Sequence, residues 1–376
     1  MVSRNPDEHH RVATPLELLF DLCFVVAVAQ ASSRLHHGLE AGHTLESVLG
    51  FVRVFFAIWW AWMNFSWFAS AYDTDDAPYR LTVLVQIAGI LVLAAGVPRG
   101  LDQANFVLIT VGYVIMRVGL VAQWLRAAAS DRPGRRTALR YAVGVTICQL
   151  GWIGLLFIPV ELRLWGWLVL VPCELAVPIW AERAGRTPWH AHHIAERYGL
   201  MTIIVLGESV LSATLAIQSA FDAGASLAPT LEAAVGGLLV LFSMWWLYFD
   251  YPAHHLLRSM KVAFLWGYSH LLIFASAAAV GAGLAVAVDQ VGGTAHVSAR
   301  AAAASIAVPV AIYLLSVWLI HVRPHGRRMV DAVAYPITAG VVLVVAYLGG
   351  SVLWMGLTLA TLVGVSVATC SEARSA

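Results

Sequence analysis

The side chains able to do chemistry in this chain are mostly acids set inside apolar runs. In TPLELLFDLCFVVAVAQ, Thr14 to Gln30, Glu17 and Asp21 stand four residues apart. On a helix they share one face with Thr14, Phe24 and Val28. In HIAERYGLMTIIVLGESVL, His193 to Leu211, Glu196 precedes Glu208 by twelve residues. Helical rise places Glu208 about 18 Å deeper. Tyr198, Thr202, Glu208, Ser209 and Ser212 form a polar stripe on that helix, and Gly199 and Gly207 offer small surfaces for close helix packing. Arg117, Glu174 and His270 lie inside other apolar runs, while Asn64 and Asp250 occupy tryptophan-rich ones. Even on cheap insertion scales a central charge costs about 2.5–3.5 kcal/mol, so each such group needs a partner or a wet cavity. Arg117 is expected to pair with Glu174 or Glu208. The chemistry on offer is cation binding or proton relay, with Glu208 the deepest and most costly acid.

Other chemistries find little support. His190, His192 and His193 precede Glu196, but no HExxH or paired-cysteine spacing accompanies them, so neither a metal nor a cofactor is expected. His36-His37 and His254-His255 read as interfacial or solvated. There is no P-loop, GxSxG or GxGxxG, and no base or oxyanion donor can be assigned to Ser209, so no catalytic residue is named and no enzyme is expected. The four cysteines are scattered through apolar segments and read as buried, unpaired thiols, with Cys370 a weak palmitoylation candidate.

The elements that must position these groups follow from composition. Of 376 residues 60% are hydrophobic and 12% charged, with a mean hydropathy of +0.76. Soluble domains run near one-quarter charged. The fold class is all-α: a polytopic helical membrane protein embedded in the lipid bilayer, with about twelve transmembrane helices. The spans lie near 15–33, 49–71, 81–98, 105–125, 139–159, 164–180, 198–219, 233–250, 262–288, 301–320, 331–348 and 351–369. The ninth is long enough to tilt or kink, and Gly349-Gly350 alone separates the last two. Arg4, Arg11 and Ala29-Gln30-Ala31 mimic a signal peptide, but Glu17 and Asp21 interrupt its apolar core, so this segment reads as a retained first span. Trp59, Trp60, Trp62 and Trp67 read either as an aromatic belt or as packing.

Seventeen basic residues, Arg197, Arg327, Arg328 and Arg374 among them, fall on one side of these spans and five on the other. The positive-inside rule then places both termini in the cytoplasm. A net charge of +1 without a basic tail gives no sign of nucleic-acid binding. Three alignments suggest a duplication: Glu17 on Glu196, Trp59-Trp60 on Trp245-Trp246 and Gln86 on His270, at offsets of 179, 186 and 184 residues. Two parallel six-helix repeats are expected, 14–185 and 186–370, between a cytoplasmic segment 1–13 and a tail 371–376.

TPLELLFDLCFVVAVAQ and ERYGLMTIIVLGESVL, in that order, resemble the two signatures of bacterial low temperature requirement A proteins. The resemblance covers nearly the whole chain. It implies a multi-spanning inner-membrane protein linked by name to growth in the cold, and it supplies no substrate or cofactor. By carry-over it marks Glu17, Phe20, Asp21, Glu196, Gly199, Gly207, Glu208 and Ser209. Arg11 with Phe20-Asp21 is more faintly similar to the R…FSD signature of lysosomal-type potassium channels of the TMEM family, with Leu19 where that family has Ser.

Three functions compete on these residues. The first is a transporter or channel for a small solute or cation, with Glu17, Asp21, Glu196 and Glu208 balanced by Arg117. The second is a non-transporting scaffold or sensor for cold adaptation, and the third an enzyme acting on membrane lipids through His190, His192, His193, Glu196, Asp250 and His254. A homo-oligomer is compatible with all three.

Overall fold

The computed structural model describes every residue except 2, 6, 7, 9, 10, 294, 296, 326–328 and 376, and every remaining side chain except those of 325, 329–332 and 369–375. Arg327, Arg328 and the side chains of Cys370 and Arg374 therefore lie outside the described residues. The chain is all-α. Among the described residues twelve long helices follow in order, with short helical turns between some of them: α1 (Pro15–Glu40), α2 (Thr44–Tyr72), α3 (Ala77–Gln103), α4 (Val107–Ser130), α5 (Arg135–Gly154), α6 (Arg163–Glu182), α7 (Ala191–Asp222), α8 (Leu227–Phe249), α9 (Met260–Gly292), α10 (Ala299–Val317), α11 (Met329–Tyr347) and α12 (Val352–Ser375). Among the described residues ten helical segments are long and apolar enough to cross a membrane, and two shorter apolar helices, Val333–Tyr347 and Val352–Ala368, follow. Large apolar side chains such as Val118, Leu150, Val169 and Trp354 are left exposed along these helices, as a hydrocarbon solvent requires.

Local chemistry sets the helix ends. At α1 the Thr14 N–H donates to Glu17 Oε2 at 2.8 Å and the Glu17 N–H donates back to Thr14 Oγ1 at 3.3 Å, a capping box with Pro15 in the first turn. Asp76 caps α3 by accepting from the Tyr79 N–H at 3.0 Å. The α9 helix is a single unbroken run of 33 residues. The seventh helix begins at Ala191 rather than near 198, which carries His193 and Arg197 into the helix. Gly349, with φ +76°, makes the tight turn between α11 and α12, which pack as neighbours as expected.

Two units can be separated, Met1–Gln30 with Phe56–Arg197, and Ala31–Phe55 with Tyr198–Ala376. In the first, α3 packs on α4, α4 on α5 and α5 on α6. A Cβ on Gly112 of α4 would lie 2.4 Å from the Leu93 nitrogen of α3, so the backbones meet where only glycine fits. In the second, α9 packs on α10, α8 on α12 and α10 on α11. A Cβ on Gly281 of α9 would lie 2.8 Å from Ser209 Cα of α7. Trp59, Trp60 and Trp62 are almost fully buried, so they serve packing rather than an aromatic belt. Cys173 corrects the expectation of buried thiols: it is exposed, because α6 presents most of its surface outward.

Candidate functional site

Of the sequence-marked acids, Glu17 and Asp21 pair with Arg197 and Glu174 pairs with Arg117, while among the described residues Glu208 pairs with no basic side chain. In the first unit Glu17, Asp21, His193 and Arg197 are all 0% exposed. Arg197 donates through Nη1 to Glu17 at 2.8 Å, and through Nε and Nη2 to the two oxygens of Asp21 at 2.9 and 2.5 Å. His193 Nε2 lies 3.2 Å from Glu17 Oε1, and Trp62 Nε1 donates to Asp21 at 2.6 Å. The pair four residues apart on α1 thus meets a pair four residues apart on α7, with the first turns running in the same sense. One guanidinium faces two carboxylates, and the His193 imidazole stands within reach of the excess negative charge.

Arg197 is the residue the sequence reading missed. It was placed among the basic residues outside the membrane, and Arg117 was expected to balance Glu17 and Asp21. The correction follows from the earlier start of α7, which puts His193 and Arg197 on one buried face. Glu196, the proposed counterpart of Glu17, points elsewhere: it is half-buried and accepts from the Ala13 backbone.

Beside this cluster the N-terminal segment closes the end of α2. Arg11 donates to the carbonyls of Ser70 and, at 2.7 Å, of Ala69, where a cation complements the helix C-terminus. Asp73, just past α2, lies 4.0 Å from Arg11. Burial and the nearby Glu17 carboxylate push its carboxyl up to about 6 against the pull of Arg11 and Arg4. His190 is fixed as well, through Nε2 to the Glu8 carbonyl at 2.7 Å and by its N–H to Ser70 Oγ at 3.0 Å.

Arg117 pairs with Glu174, one of its two expected partners, at 3.3 Å to each oxygen, and it also donates to the Tyr113 hydroxyl. Glu174 further accepts from Trp60 Nε1 at 2.7 Å and Trp152 Nε1 at 3.0 Å. Asn64 donates to the Trp60 carbonyl of its own helix at 2.7 Å.

The second unit holds Glu208. Its carboxyl is 4% exposed, and its hydrogen bonds come from hydroxyls: Ser212 Oγ at 2.7 Å and Ser32 Oγ at 3.3 Å. Ser32 Oγ also lies 3.3 Å from the Ala278 carbonyl, and Ser209 Oγ donates to the Ala277 carbonyl at 3.0 Å. The hydroxyls of Ser32 on α1 and Ser212 on α7 therefore hold the acid, and Ser32 links it to the Ala278 carbonyl of α9. Among the described residues no basic side chain forms an ion pair with it.

The other residues of the stripe have local roles. Thr202 donates to the Tyr198 carbonyl at 2.9 Å, and Gly199 meets the Phe249 ring, 3.1 Å from where a Cβ would stand. Gly207 departs from the packing role expected of it, since nothing lies within 4 Å of its would-be Cβ. His270 is held by the Trp266 carbonyl at 2.7 Å on Nδ1 and the Tyr248 hydroxyl at 2.9 Å on Nε2, inside an aromatic group with Tyr198, Trp266 and His321. A carbonyl on Nδ1 makes that nitrogen a donor. Asp250 accepts from Ser366 Oγ at 2.5 Å.

The sequence matches the model of the bacterial low temperature requirement A protein family over residues 12–368. It is also 30% identical over 249 residues to an uncharacterized protein of Rhizobium meliloti (strain 1021), a match covering 62% of this chain and 57% of that relative. The matched family region takes in the α1 cluster, the Arg117 pair and the Glu208 surroundings alike. The chain belongs to the bacterial low temperature requirement A (LtrA) family and is a multi-pass membrane protein.

Proposed function

We propose that this protein moves a small cation, the proton included, across the bacterial inner membrane, with Glu208 as the group that takes up the ion. The observation that carries the reading is a carboxyl buried at mid-helix that accepts from two hydroxyls, one of which also reaches an α9 carbonyl, with no ion pair to a basic side chain among the described residues. A protonated carboxyl is at ease there. An ionised one, with Ser32 Oγ, Ser212 Oγ and the carbonyl of Ala278 alongside, offers the all-oxygen surroundings that hard cations take. The acids bound to Arg197 and Arg117 are engaged in ion pairs and hold the helices of the first unit together. Both termini face the cytoplasm, and the chain is built of two parallel six-helix repeats.

The test is flux into proteoliposomes carrying the purified protein, read with a pH-sensitive dye and with Na+ and K+ indicators. Wild type should move at least one of these ions, and Glu208→Gln should abolish movement while keeping its fold. A wild type that moves none of them would remove the proposal. The scaffold reading has one observation in its favour, the buried acids of the first unit each tied to an arginine, and it predicts that Glu208→Gln supports growth in the cold as well as wild type.

A further inference from the structure

At the far end of α1 from the Arg197 cluster, His36, His37 and Glu40 each offer a ligand atom, and these atoms all lie within 4.8 Å of one another. We propose that the three side chains, backed by Asp289 of α9, form a binding site for a divalent transition-metal ion of the Zn2+ class. The helix itself makes the arrangement. Glu40 is one turn beyond His36 and three residues beyond His37, the spacings at which helical side chains meet. Ligands at about 2.0–2.2 Å around a tetrahedral Zn2+ stand roughly 3.3 Å apart. His37 Nδ1 and Glu40 Oε2 are 4.0 Å apart, and these side chains are 57% and 31% exposed, free to close the remaining distance by small rotations.

The second observation is Asp289. Its Oδ2 lies 2.5 Å from His36 Nε2. A carboxylate on one ring nitrogen fixes the ring, makes it a better donor and leaves Nδ1 for the ion, the usual support of a metal-bound imidazole. Two imidazoles and a carboxylate suit Zn2+ and its neighbours in the series rather than Ca2+ or Mg2+, which prefer oxygen alone. The fourth position stays open to water, so the ion is exchangeable. The site stands apart from the Glu208 reading, since binding needs no transport.

The experiment uses the full-length protein in detergent with any histidine tag removed, titrated with Zn2+ by calorimetry and with Co2+ by visible absorption. Wild type should bind one Zn2+ saturably, and Co2+ should give visible bands with nitrogen and oxygen ligation. His37→Ala and Glu40→Gln should each weaken binding at least about tenfold, and Asp289→Asn by about 10–100-fold, as outer-sphere partners do. His192→Ala with His255→Ala should leave the affinity unchanged. The changed side chains are partly exposed at a helix end, and gel filtration checks the fold. Absence of saturable binding in wild type, or affinity unchanged in the His36→Ala/His37→Ala/Glu40→Gln variant, would overturn the proposal.

Discussion

Replacing Arg197 by Met tests the account of the α1 and α7 contact. Arg197 makes three charge-assisted hydrogen bonds, of 2.8, 2.9 and 2.5 Å, to two carboxylates that are 0% exposed. Such bonds contribute about 1.5–3 kcal/mol each relative to water, but they share one cation and do not add. The larger effect is what remains after the change. Glu17 and Asp21 keep their charges with His193, Trp62, the Thr14 N–H and the more distant Arg11 as remaining partners. Removing one partner of a buried ion pair costs about 3–5 kcal/mol, and with two acids left behind the upper end applies. Neutralising the acids as well should return most of it. Arg197→Met/Glu17→Gln/Asp21→Asn should fall within about 1–2 kcal/mol of wild type, the residue being a weakened capping box at Glu17 and the Trp62 bond. The assay is unfolding of the purified protein in mixed micelles by titration with sodium dodecyl sulfate, followed by tryptophan fluorescence. A single variant costing less than about 1 kcal/mol, or a triple variant as unstable as the single one, would refute the reasoning.

The same assay checks four further outcomes. Arg117→Leu should cost about 3–5 kcal/mol, and Arg117→Leu/Glu174→Leu should recover most of it, less the bonds Glu174 accepts from Trp60 and Trp152. Asp73, pushed up to about 6, holds its proton more tightly folded than unfolded. Its contribution to stability is therefore fully present below about pH 4 and is lost as pH rises through 6, by about 3 kcal/mol in all. Glu17 of α1 and Arg11 and Arg4 of the N-terminal segment are the charges acting on it, and Asp73→Asn should flatten that part of the pH profile. Gly281→Val should destabilise by about 1–3 kcal/mol through collision with the α7 backbone at Ser209. Gly207→Ala, with open space around it, should be neutral or stabilising by up to about 1 kcal/mol.

The twelve helices were legible because span length and hydropathy are local properties, set by the thickness of hydrocarbon. Partner choice was not, since a membrane helix is apolar around most of its circumference and its periodicity does not say which neighbour a polar face meets. Glu17 and Asp21 were visible as costly charges, yet their cation was assigned to the wrong helix. Two signals could have corrected this. Thr14-Pro-Leu-Glu17 reads as a capping box, which fixes the first turn of α1, and His193 with Arg197 repeats the four-residue spacing of Glu17 with Asp21. Arg117 was marked for a carboxylate partner because a buried guanidinium cannot shed its charge, and the structure selects Glu174 over Glu208, the two acids the sequence left open. The hydroxyl of Ser32 on Glu208 lay beyond sequence reasoning, for a serine 176 positions away carries no mark of its partner. Gly207 misled because a glycine in an apolar helix looks the same whether a neighbour approaches it or not.

The central claim, that Glu208 takes up the moving ion, is tested most directly by ion flux in proteoliposomes containing wild type, Glu208→Gln or Glu208→Asp. The account predicts movement of a proton or monovalent cation by wild type, none by the Gln variant and slowed movement by the Asp variant, with all three equally folded. Equal flux through wild type and Glu208→Gln would contradict it.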